Sequence, residues 1–294
     1  MITLAAIPFI LLVFVLTYLP LFGWVYAFFD YKPGLPLASS HFVGLKYFLE
    51  PFTDINSGNE LINAIINTFA ISILGLLVSP LPAIFAIFLN EMGNKPFKKI
   101  TQTMTTLPNF ISWILVYAIF FATFSVEDGF VNQILLNTGL LKEPINPLAN
   151  SDIAWFFQTG VGVWKSLGWN GIIFLAAITG IDAQLYDAAK VDGAGRLKSI
   201  LHVTVPGILP TFFVLLLLQV AGFFNSGFEQ FYVFDNAMVR DKLQVLDLYV
   251  YRSGIGSSHY SYATAIGMLK SVISVVLLFL VNGFSKIVRG VSIV

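Results

Sequence analysis

Three ionisable side chains, Lys165, Glu229 and Lys270, lie inside stretches of the sequence that are otherwise apolar. A charge in a hydrocarbon environment is costly unless it meets a partner or water, so each of these residues is a candidate for function. The stretch around Lys165, WKSLGWN, also supplies Trp164, Ser166, Trp169 and Asn170. Aromatic faces beside hydroxyl and amide groups suit a ligand that has C–H faces and many hydroxyls, so the chemistry indicated is noncovalent recognition.

A second polar cluster lies in the stretch GFFNSGFEQF and supplies Asn225, Ser226, Glu229 and Gln230. Helical spacing predicts that Asn225, Ser226 and Glu229 share one face. An alternative is that Lys165 and Glu229 pair with each other, or reach toward the membrane surface, and only hold the helices together. The residues around Lys270 are those of an ordinary packing surface, which favours a structural role for that lysine.

The sequence lacks the residue sets of the common catalytic, metal and nucleotide sites. It contains no cysteine, which excludes disulfides, thiolate metal sites and a cysteine nucleophile. His41, His202 and His259 are far apart and have no metal-ligand spacing. No GxxxxGK[ST] phosphate loop is present, so we expect no catalytic residue, metal or cofactor on this chain. The formal net charge of zero argues against nucleic acid as a partner.

Composition indicates a membrane protein. The 294 residues are 57% hydrophobic and 11% charged, with a mean hydropathy of +0.82. Soluble domains carry about 25% charged residues, and a soluble core could not bury so much apolar surface. The predicted fold class is therefore all-α, a polytopic membrane protein with six transmembrane helices.

Six stretches contain the roughly 20 mostly apolar residues that a bilayer-crossing helix needs. They are Ile2–Phe29, Leu61–Leu89, Leu107–Phe124, Ile153–Ile181, Ile208–Phe234 and Tyr260–Phe284. The first is too long for a signal-peptide core and lacks a small-residue cleavage site, so we interpret it as a retained span. We predict one transmembrane domain over residues 1–294, with an N-terminal helix at 2–29, a core at about 61–284 and a loop at 182–206.

The distribution of basic residues predicts the orientation. If the N-terminus is cytoplasmic, the inner segments hold eight basic and four acidic residues, whereas the outer segments hold six basic and eleven acidic ones. The excess of basic residues on the inner side therefore predicts that both termini, and the loop at 182–206, lie in the cytoplasm.

This loop, DAQLYDAAKVDGAGRLKSILHVTVP, is polar between two apolar runs. Asp182 is a plausible N-cap of a first short helix, the glycines of DGAG interrupt that helix, and RLKSILHV resumes with amphipathic spacing. We expect Pro206 to end the second helix and Pro210 to lie in the first turn of the next span. Read locally, the loop suits either a connector at the membrane interface or a docking element.

The same loop resembles the cytoplasmic loop of permease subunits of ABC-type importers. That pattern is Glu-Ala-Ala, three residues, Gly, nine residues and Ile-x-Leu-Pro; here Asp replaces Glu, and valines replace Ile and Leu. In that family the helix of the loop sits in a groove of the ATPase subunit and transmits its closure to the spans. The resemblance implies a coupling loop formed by Asp187, Ala188, Ala189, Asp192, Gly193, Ala194, Val203, Val205 and Pro206.

Longer stretches resemble the polysaccharide-permease branch of the maltose-type sugar importers. They are YLPLFGWVYAFFDYKPG, WKSLGWNGIIFLAAITGIDAQLYDAAKVDGAG, GFEQFYVF and YVYRSGIGSSHYSYATAIGMLKSVIS. The stretch of maltose-type permeases that corresponds to WKSLGWN faces the translocated sugar. The resemblance therefore implies a substrate path lined by Lys165, Ser166 and Trp169, to which the fifth span adds Asn225, Ser226, Glu229 and Gln230.

The resemblance also implies partners in a bacterial cytoplasmic membrane. They are a second, non-identical permease subunit, a dimer of ABC ATPase subunits that uses ATP and magnesium, and an external solute-binding protein that delivers an oligosaccharide or polysaccharide fragment. The chain itself would carry out no covalent chemistry. A cation at Lys165 suggests an anionic cargo, such as a uronate-containing oligosaccharide.

Two other classes of function are weighed against this one. An ion-coupled secondary transporter would be expected to show internal repeats or spans broken by Gly and Pro in paired halves, and the sequence shows neither clearly. A non-transport membrane protein, such as an integral enzyme or a scaffold, is the other alternative. An enzyme needs catalytic side chains clustered at one depth, and Lys165, Glu229 and Lys270 are scattered.

Overall fold

The computed structural model describes residues 2–289, with side chains over 7–55 and 57–283. Within this range the chain is helical, and the β-bridge between Phe29 and Phe42 lies in a loop. Five helices are long and apolar enough to cross a membrane, and a sharply bent pair of helices raises the number to six. The five are Ile7–Phe28, Ser57–Glu91, Ala154–Thr179, Arg196–Ala221 and Tyr260–Gly283.

The first span changes helix type along its length. Helix α1 (Ile2–Val13) continues into a π-helical turn (Phe14–Tyr18) and a 3₁₀ segment (Leu19–Phe28). The 3₁₀ segment packs against the last span, and the most apolar window of the first span has no buried residue. A short 3₁₀ turn (Leu37–Ser39) and helix α2 (Lys46–Thr53) then lead to the second span.

The second span contains two helices joined by a short turn. Helix α3 (Ile55–Val78) begins after Asp54, whose side chain accepts a hydrogen bond from the Ser57 backbone N–H (3.0 Å). The turn at 79–80 leads into α4 (Leu81–Glu91). A proline such as Pro80 has no N–H to donate to the preceding turn, which allows the helix to break there.

The third span is not the straight helix predicted over Leu107–Phe124. Helix α5 (Lys95–Thr106) ends in a 3₁₀ turn (Leu107–Phe110), and α6 (Trp113–Phe124) leaves it at an angle of 109°. The chain turns because Ile111 and Ser112 are extended and the Ser112 side chain caps α6 by accepting from the Leu115 N–H (3.4 Å). The apolar composition of this stretch is compatible with either arrangement, so the bend was missed.

The fourth span, α8 (Ala154–Thr179), follows the outer helix α7 (Phe130–Asn137) and is continuous, as predicted. Its glycines allow neighbouring helices to approach closely. A Cβ at Gly168 would lie 2.3 Å from the backbone of Thr105 in α5, and one at Gly171 would lie 2.9 Å from the Phe85 ring in α4. Small residues at such contacts are typical of helix packing in membranes.

The polar loop folds as two helices around a glycine break. Asp182 caps α9 (Ala183–Val191) by accepting from the Gln184 N–H (2.9 Å), as predicted. Gly193 has a φ of +76°. It ends α9 in the left-handed conformation that glycine adopts without strain.

Pro206 does not end the second helix of the loop, contrary to the prediction. Helix α10 (Arg196–Ser199), a π-helical turn (Ile200–Thr204) and α11 (Val205–Ala221) form one continuous span with Pro206 and Pro210 inside it. A π-helical turn widens the helix before Pro206, so the missing N–H and the ring of the proline are accommodated without a break.

The fifth span ends earlier than the predicted Phe234. It stops at Ala221, and residues 222–227 form a non-helical break before α12 (Phe228–Phe234). The chain continues through α13 (Arg240–Leu243), α14 (Leu246–Tyr251) and a π-helical turn (Arg252–Gly256) to the last span, α15 (Tyr260–Arg289).

The connection between α12 and α15 is held in place by polar side chains of other spans. The Asn67 amide donates to the carbonyls of Asp241 (2.8 Å) and Gln244 (3.1 Å), and the Trp155 indole donates to the carbonyl of Lys242 (2.9 Å). Lys270 of α15 forms an ion pair with Asp247 of α14. These contacts hold α12 against α6 and α8, where Phe231 and Phe234 are buried.

The close contact at Gly168 yields a stability prediction. Gly168→Ala places a methyl group against the backbone of α5, so α5 and α8 must separate. We expect an overpacking cost of about 1–3 kcal/mol, measured as a lower thermal midpoint of the purified protein. Gly160→Ala is the matched control, because a Cβ at this position of the same helix meets nothing within 4 Å. Equal thermal midpoints for the two variants would contradict the packing described.

Candidate functional site

A cavity of about 510 Å³ lies between the spans. Its walls come from the second, third, fourth and fifth spans, from the break after the fifth span and from α12. Polar groups on these walls are Ser79, Gln158, Thr159, Ser166, Asn170, Gln219, Ser226 and Gln230. Most of the remaining lining is apolar, including Phe174, Phe212 and Phe231. A largely apolar cavity with a few placed polar groups is the usual form of a small-molecule site.

Two of the polar groups lack an internal partner. The hydroxyls of Ser79 and Ser226 are buried and make no hydrogen bond within the described part of the chain. By contrast, the Gln230 amide donates to both the backbone carbonyl (2.8 Å) and the side-chain oxygen (2.9 Å) of Gln158. Buried polar groups are nearly always hydrogen-bonded, so these two hydroxyls are the positions where the walls lack a partner within the described part of the chain.

A second cavity, of about 400 Å³, adjoins the first. The two share Trp113, Gly162 and Ser166, and the second adds Asn109, Ile111, Ser112, Lys165 and Glu229. Asn109, Ile111 and Ser112 belong to the bend of the third span. Together the cavities therefore extend from the bend of the third span to the break in the fifth.

Lys165 is bound by backbone rather than by a carboxylate. Its ammonium donates to the carbonyls of Pro108 (3.0 Å), Asn109 (2.9 Å) and Ile111 (2.7 Å), and lies 5.3 Å from the centre of the Trp113 ring. The side chain is only 8% exposed. Within the described residues no hydrogen bond or ion pair joins Lys165 to Glu229, so the structure does not support the alternative in which these two side chains pair.

The structure brings five of the seven predicted path residues to the cavities. Lys165 and Glu229 line the second cavity, Ser226 and Gln230 line the first, and Ser166 lines both. Trp169 and Asn225 line neither. The Trp169 ring packs edge-on against Phe110 at 5.5 Å, and Asn225 is exposed in the break.

One further prediction about the polar residues is wrong. Asn225, Ser226 and Glu229 do not share a helix face, because the helix that contains Glu229 begins only at Phe228. The ion pair of Lys270 with Asp247 agrees with the structural role predicted for that lysine. Whether the cavity residues contact a ligand remains a prediction.

The sequence analysis considered neutral polar residues only near Lys165 and Glu229, so it missed Ser79, Gln158, Thr159 and Gln219. A search for neutral polar residues throughout the spans would have found all four. Ser79 stands directly before Pro80, where the second span turns, and Gln219 stands three residues before the break at 222. Polar residues beside a helix break were therefore the available signal.

The loop at 182–206 exposes an apolar surface. Val191 is 88% exposed and Leu197 is 70% exposed, on either side of the glycine break. The Tyr186 and Thr204 hydroxyls lie 3.0 Å apart and join the two arms of the loop. Asp187 pairs with Lys190 at 3.0 Å, and both side chains are exposed. The loop is thus internally tied and presents uncovered apolar side chains at its tip.

Comparison with protein-family models matches residues 78–290 to "Binding-protein-dependent transport system inner membrane component". Two Bacillus subtilis proteins are each 38% identical to this chain. The polygalacturonan/rhamnogalacturonan transport system permease protein YteP aligns over 92% of this chain and 82% of its own length. Protein LplB aligns over 95% and 86%, respectively.

The fold is similar to that of a chain in the crystal structure of a bacterial alginate ABC transporter in complex with alginate pentasaccharide-bound periplasmic protein. The TM-score is 0.87 at 29% sequence identity, and the match covers 99% of this chain and 96% of the other. A second crystal structure, of a bacterial ABC transporter involved in the import of the acidic polysaccharide alginate, matches with a TM-score of 0.86 at 30% identity.

The unequal hydrogen bonding of the cavity residues predicts unequal effects on stability. Ser226→Ala removes a hydroxyl that has no partner and should leave the thermal midpoint unchanged or raise it. Gln230→Leu leaves the Gln158 side-chain oxygen and carbonyl without their donor, so we expect a loss of about 1–3 kcal/mol. Thermal unfolding of the purified protein in detergent measures both. A destabilised Ser226→Ala variant would show that its hydroxyl has an internal partner.

Proposed function

The chain belongs to the binding-protein-dependent transport system inner membrane components and is a permease of the carbohydrate ABC transporter type; we propose that it carries an oligosaccharide or polysaccharide fragment inward by alternating access. The observation that carries this proposal is the pair of adjoining cavities between the spans, with the unpartnered hydroxyls of Ser79 and Ser226 on the walls. A sugar hydroxyl can both donate to and accept from a serine hydroxyl.

The relatives favour an acidic cargo. One is a polygalacturonan/rhamnogalacturonan permease, and the similar structures are of alginate transporters. We therefore propose a uronate-containing oligosaccharide as the cargo class. The proposal rests on these likenesses and no longer on the charge of Lys165, because the ammonium of that residue is occupied by three carbonyls.

We propose that the loop at 182–206 docks on an ATPase subunit. Exposed apolar side chains on a polar loop, such as Val191 and Leu197, favour a protein partner over water. The arm after the glycine break continues without interruption into the fifth span, from Arg196 to Ala221. A displacement of the docked loop would therefore be transmitted along a single helix to Gln219 at the cavity.

In this proposal the other components of the transporter complex are separate chains. A second, non-identical permease supplies the other half of the pathway, and a dimer of ATPase subunits binds ATP and magnesium. A solute-binding protein delivers the cargo from outside; one of the similar structures contains a periplasmic protein bound to alginate pentasaccharide. This chain has no enzymatic role in the proposal, and both of its termini are cytoplasmic.

Transport needs two states of the pathway that differ in their contacts with the partners. A bound ligand or partner shifts an equilibrium between conformations only by the difference in its affinity for the two. In this proposal closure of the ATPase dimer moves the loop at 182–206 and so shifts the spans between the inward-open and outward-open states.

Membership of the family does not support the ion-coupled alternative, and the cavities do not support an enzyme. The ionisable side chains that line them within the described residues are Lys165 and Glu229, and the first of these is fully engaged by backbone. The two therefore do not form a pair of catalytic groups.

The coupling role predicts a difference between two substitutions of Gly193. Valine resists the left-handed backbone that Gly193 adopts (φ +76°), whereas asparagine tolerates it. A Cβ at this position meets nothing within 4 Å, so bulk alone is tolerated. We expect Gly193→Val to insert normally and to lose most ATPase association or sugar-stimulated ATP hydrolysis, and Gly193→Asn to retain them. The reconstituted complex measures both, and wild-type coupling in Gly193→Val would contradict the role of this turn.

The free hydroxyls predict an effect on uptake without an effect on stability. A sugar that bonds to Ser226 would lose about one hydrogen bond in Ser226→Ala, which is worth about two- to tenfold in rate. The measurement is ATP-driven uptake of an oligogalacturonate into proteoliposomes. Ser271→Ala is the control, because its hydroxyl donates to the Gly267 carbonyl (2.9 Å) and lines neither cavity. Unchanged uptake in Ser226→Ala would remove this hydroxyl from the path.

A further inference from the structure

The bend of the third span leaves backbone acceptors without helical partners inside the membrane region. A helix end has carbonyls that no following turn satisfies, and the carbonyl ends of its peptide dipoles carry partial negative charge. The 3₁₀ turn Leu107–Phe110 is such an end, and beyond it the chain turns by 109°. The surrounding hydrocarbon offers no donors, so these acceptors need a partner from the protein or from water in a cavity.

Lys165 supplies donors to this end, where the carbonyl of Pro108 also accepts from the Ile111 backbone N–H at 3.4 Å. An ammonium has three N–H groups, and the three carbonyls at 2.7–3.0 Å account for all of them. Trp113, the first residue of α6, covers the ammonium from the far side of the bend. One side chain of α8 thus contacts the residues on both sides of the turn.

The neighbouring residues of α8 contact the same part of the third span. Lys165 and Gly168 are three residues apart and therefore lie on one helix face. Gly168 lies against the backbone of Thr105, and Trp169 lies against the ring of Phe110. The face that includes Lys165 is thus a packing surface for the third span, and the cavity lies beside it.

We infer that Lys165 is a positioning residue that holds the bend of the third span and thereby places Asn109, Ser112 and Trp113 on the wall of the cavity. It acts on transport through this wall and does not bind the cargo. The inference rests on the proposed function only for its consequence in transport. The bend itself can be measured without any cargo.

The test is a distance across the bend in the complete complex, purified with its partner subunits and free of sugar. Because the chain has no cysteine, Phe97→Cys in α5 and Phe121→Cys in α6 can carry spin labels without background from this chain; both positions are exposed. At 1.5 Å per residue the labelled positions lie about 20 Å apart across the bend and about 34 Å apart if the two helices straighten.

We compare Lys165→Met, which has no donors, with Lys165→Arg, which keeps the charge but has planar donors that cannot converge on three carbonyls. Both variants should broaden the distance distribution toward longer values by roughly 5–10 Å. Lys270→Met is the matched control, because Lys270 is another lysine within a span and its partner, Asp247, lies away from the bend. This variant should give the wild-type distance distribution.

A wild-type distribution in both Lys165 variants would overturn the inference, since a residue that acts only by touching cargo changes nothing in a cargo-free complex. If Lys165→Met does not assemble, Lys165→Arg alone decides the question. A longer distance combined with normal oligogalacturonate uptake would contradict the claim that the bend shapes the path. If the wild-type complex imports no sugar, the proposed function is wrong. The inference about the bend is then still decided by the distances measured in the two Lys165 variants.

Discussion

The arrangement of this protein depends on the need to satisfy backbone groups wherever a span is interrupted. Hydrocarbon offers no water, so each interruption requires a donor or acceptor from another part of the chain. Lys165 donates to the carbonyls at the bend of the third span, and Ser72 donates to the Phe223 carbonyl in the break of the fifth. Asn67 donates to the carbonyls of Asp241 and Gln244. The polar residues of the spans therefore connect elements that are far apart in sequence.

The same interruptions form the cavities. A regular helix hides its backbone and presents side chains only, whereas a broken one can expose polar backbone toward an enclosed space. The second cavity is bounded by the bend at 109–112, and the first reaches Ser226 in the break after the fifth span. Among the polar groups there, Lys165 and Gln230 are engaged by other parts of the chain, whereas the hydroxyls of Ser79 and Ser226 have no hydrogen-bond partner in the part of the chain that the structure describes.

The features that the sequence predicted correctly depend on local composition. Apolar length located five of the six spans, and cap and glycine chemistry located Asp182 and Gly193. The bend of the third span could not be predicted, because the partner of Lys165 is a set of backbone carbonyls, which every residue type provides. The continuation of the helix through Pro206 was missed for a similar reason, because a π-helical turn is a backbone adjustment that has no residue pattern of its own.

A lysine inside a span is therefore a weak guide to the charge of a ligand. Its ammonium adds a positive charge, but the three carbonyls that it meets belong to a helix end, where the peptide dipoles concentrate negative charge. Glu229 also lines the second cavity, and within the described residues its carboxylate has no backbone partners of this kind. A carboxylate accepts hydrogen bonds from sugar hydroxyls and repels uronates. Selection for the proposed uronate cargo would then depend on groups other than Lys165 and Glu229, the ionisable side chains that line these cavities within the described residues.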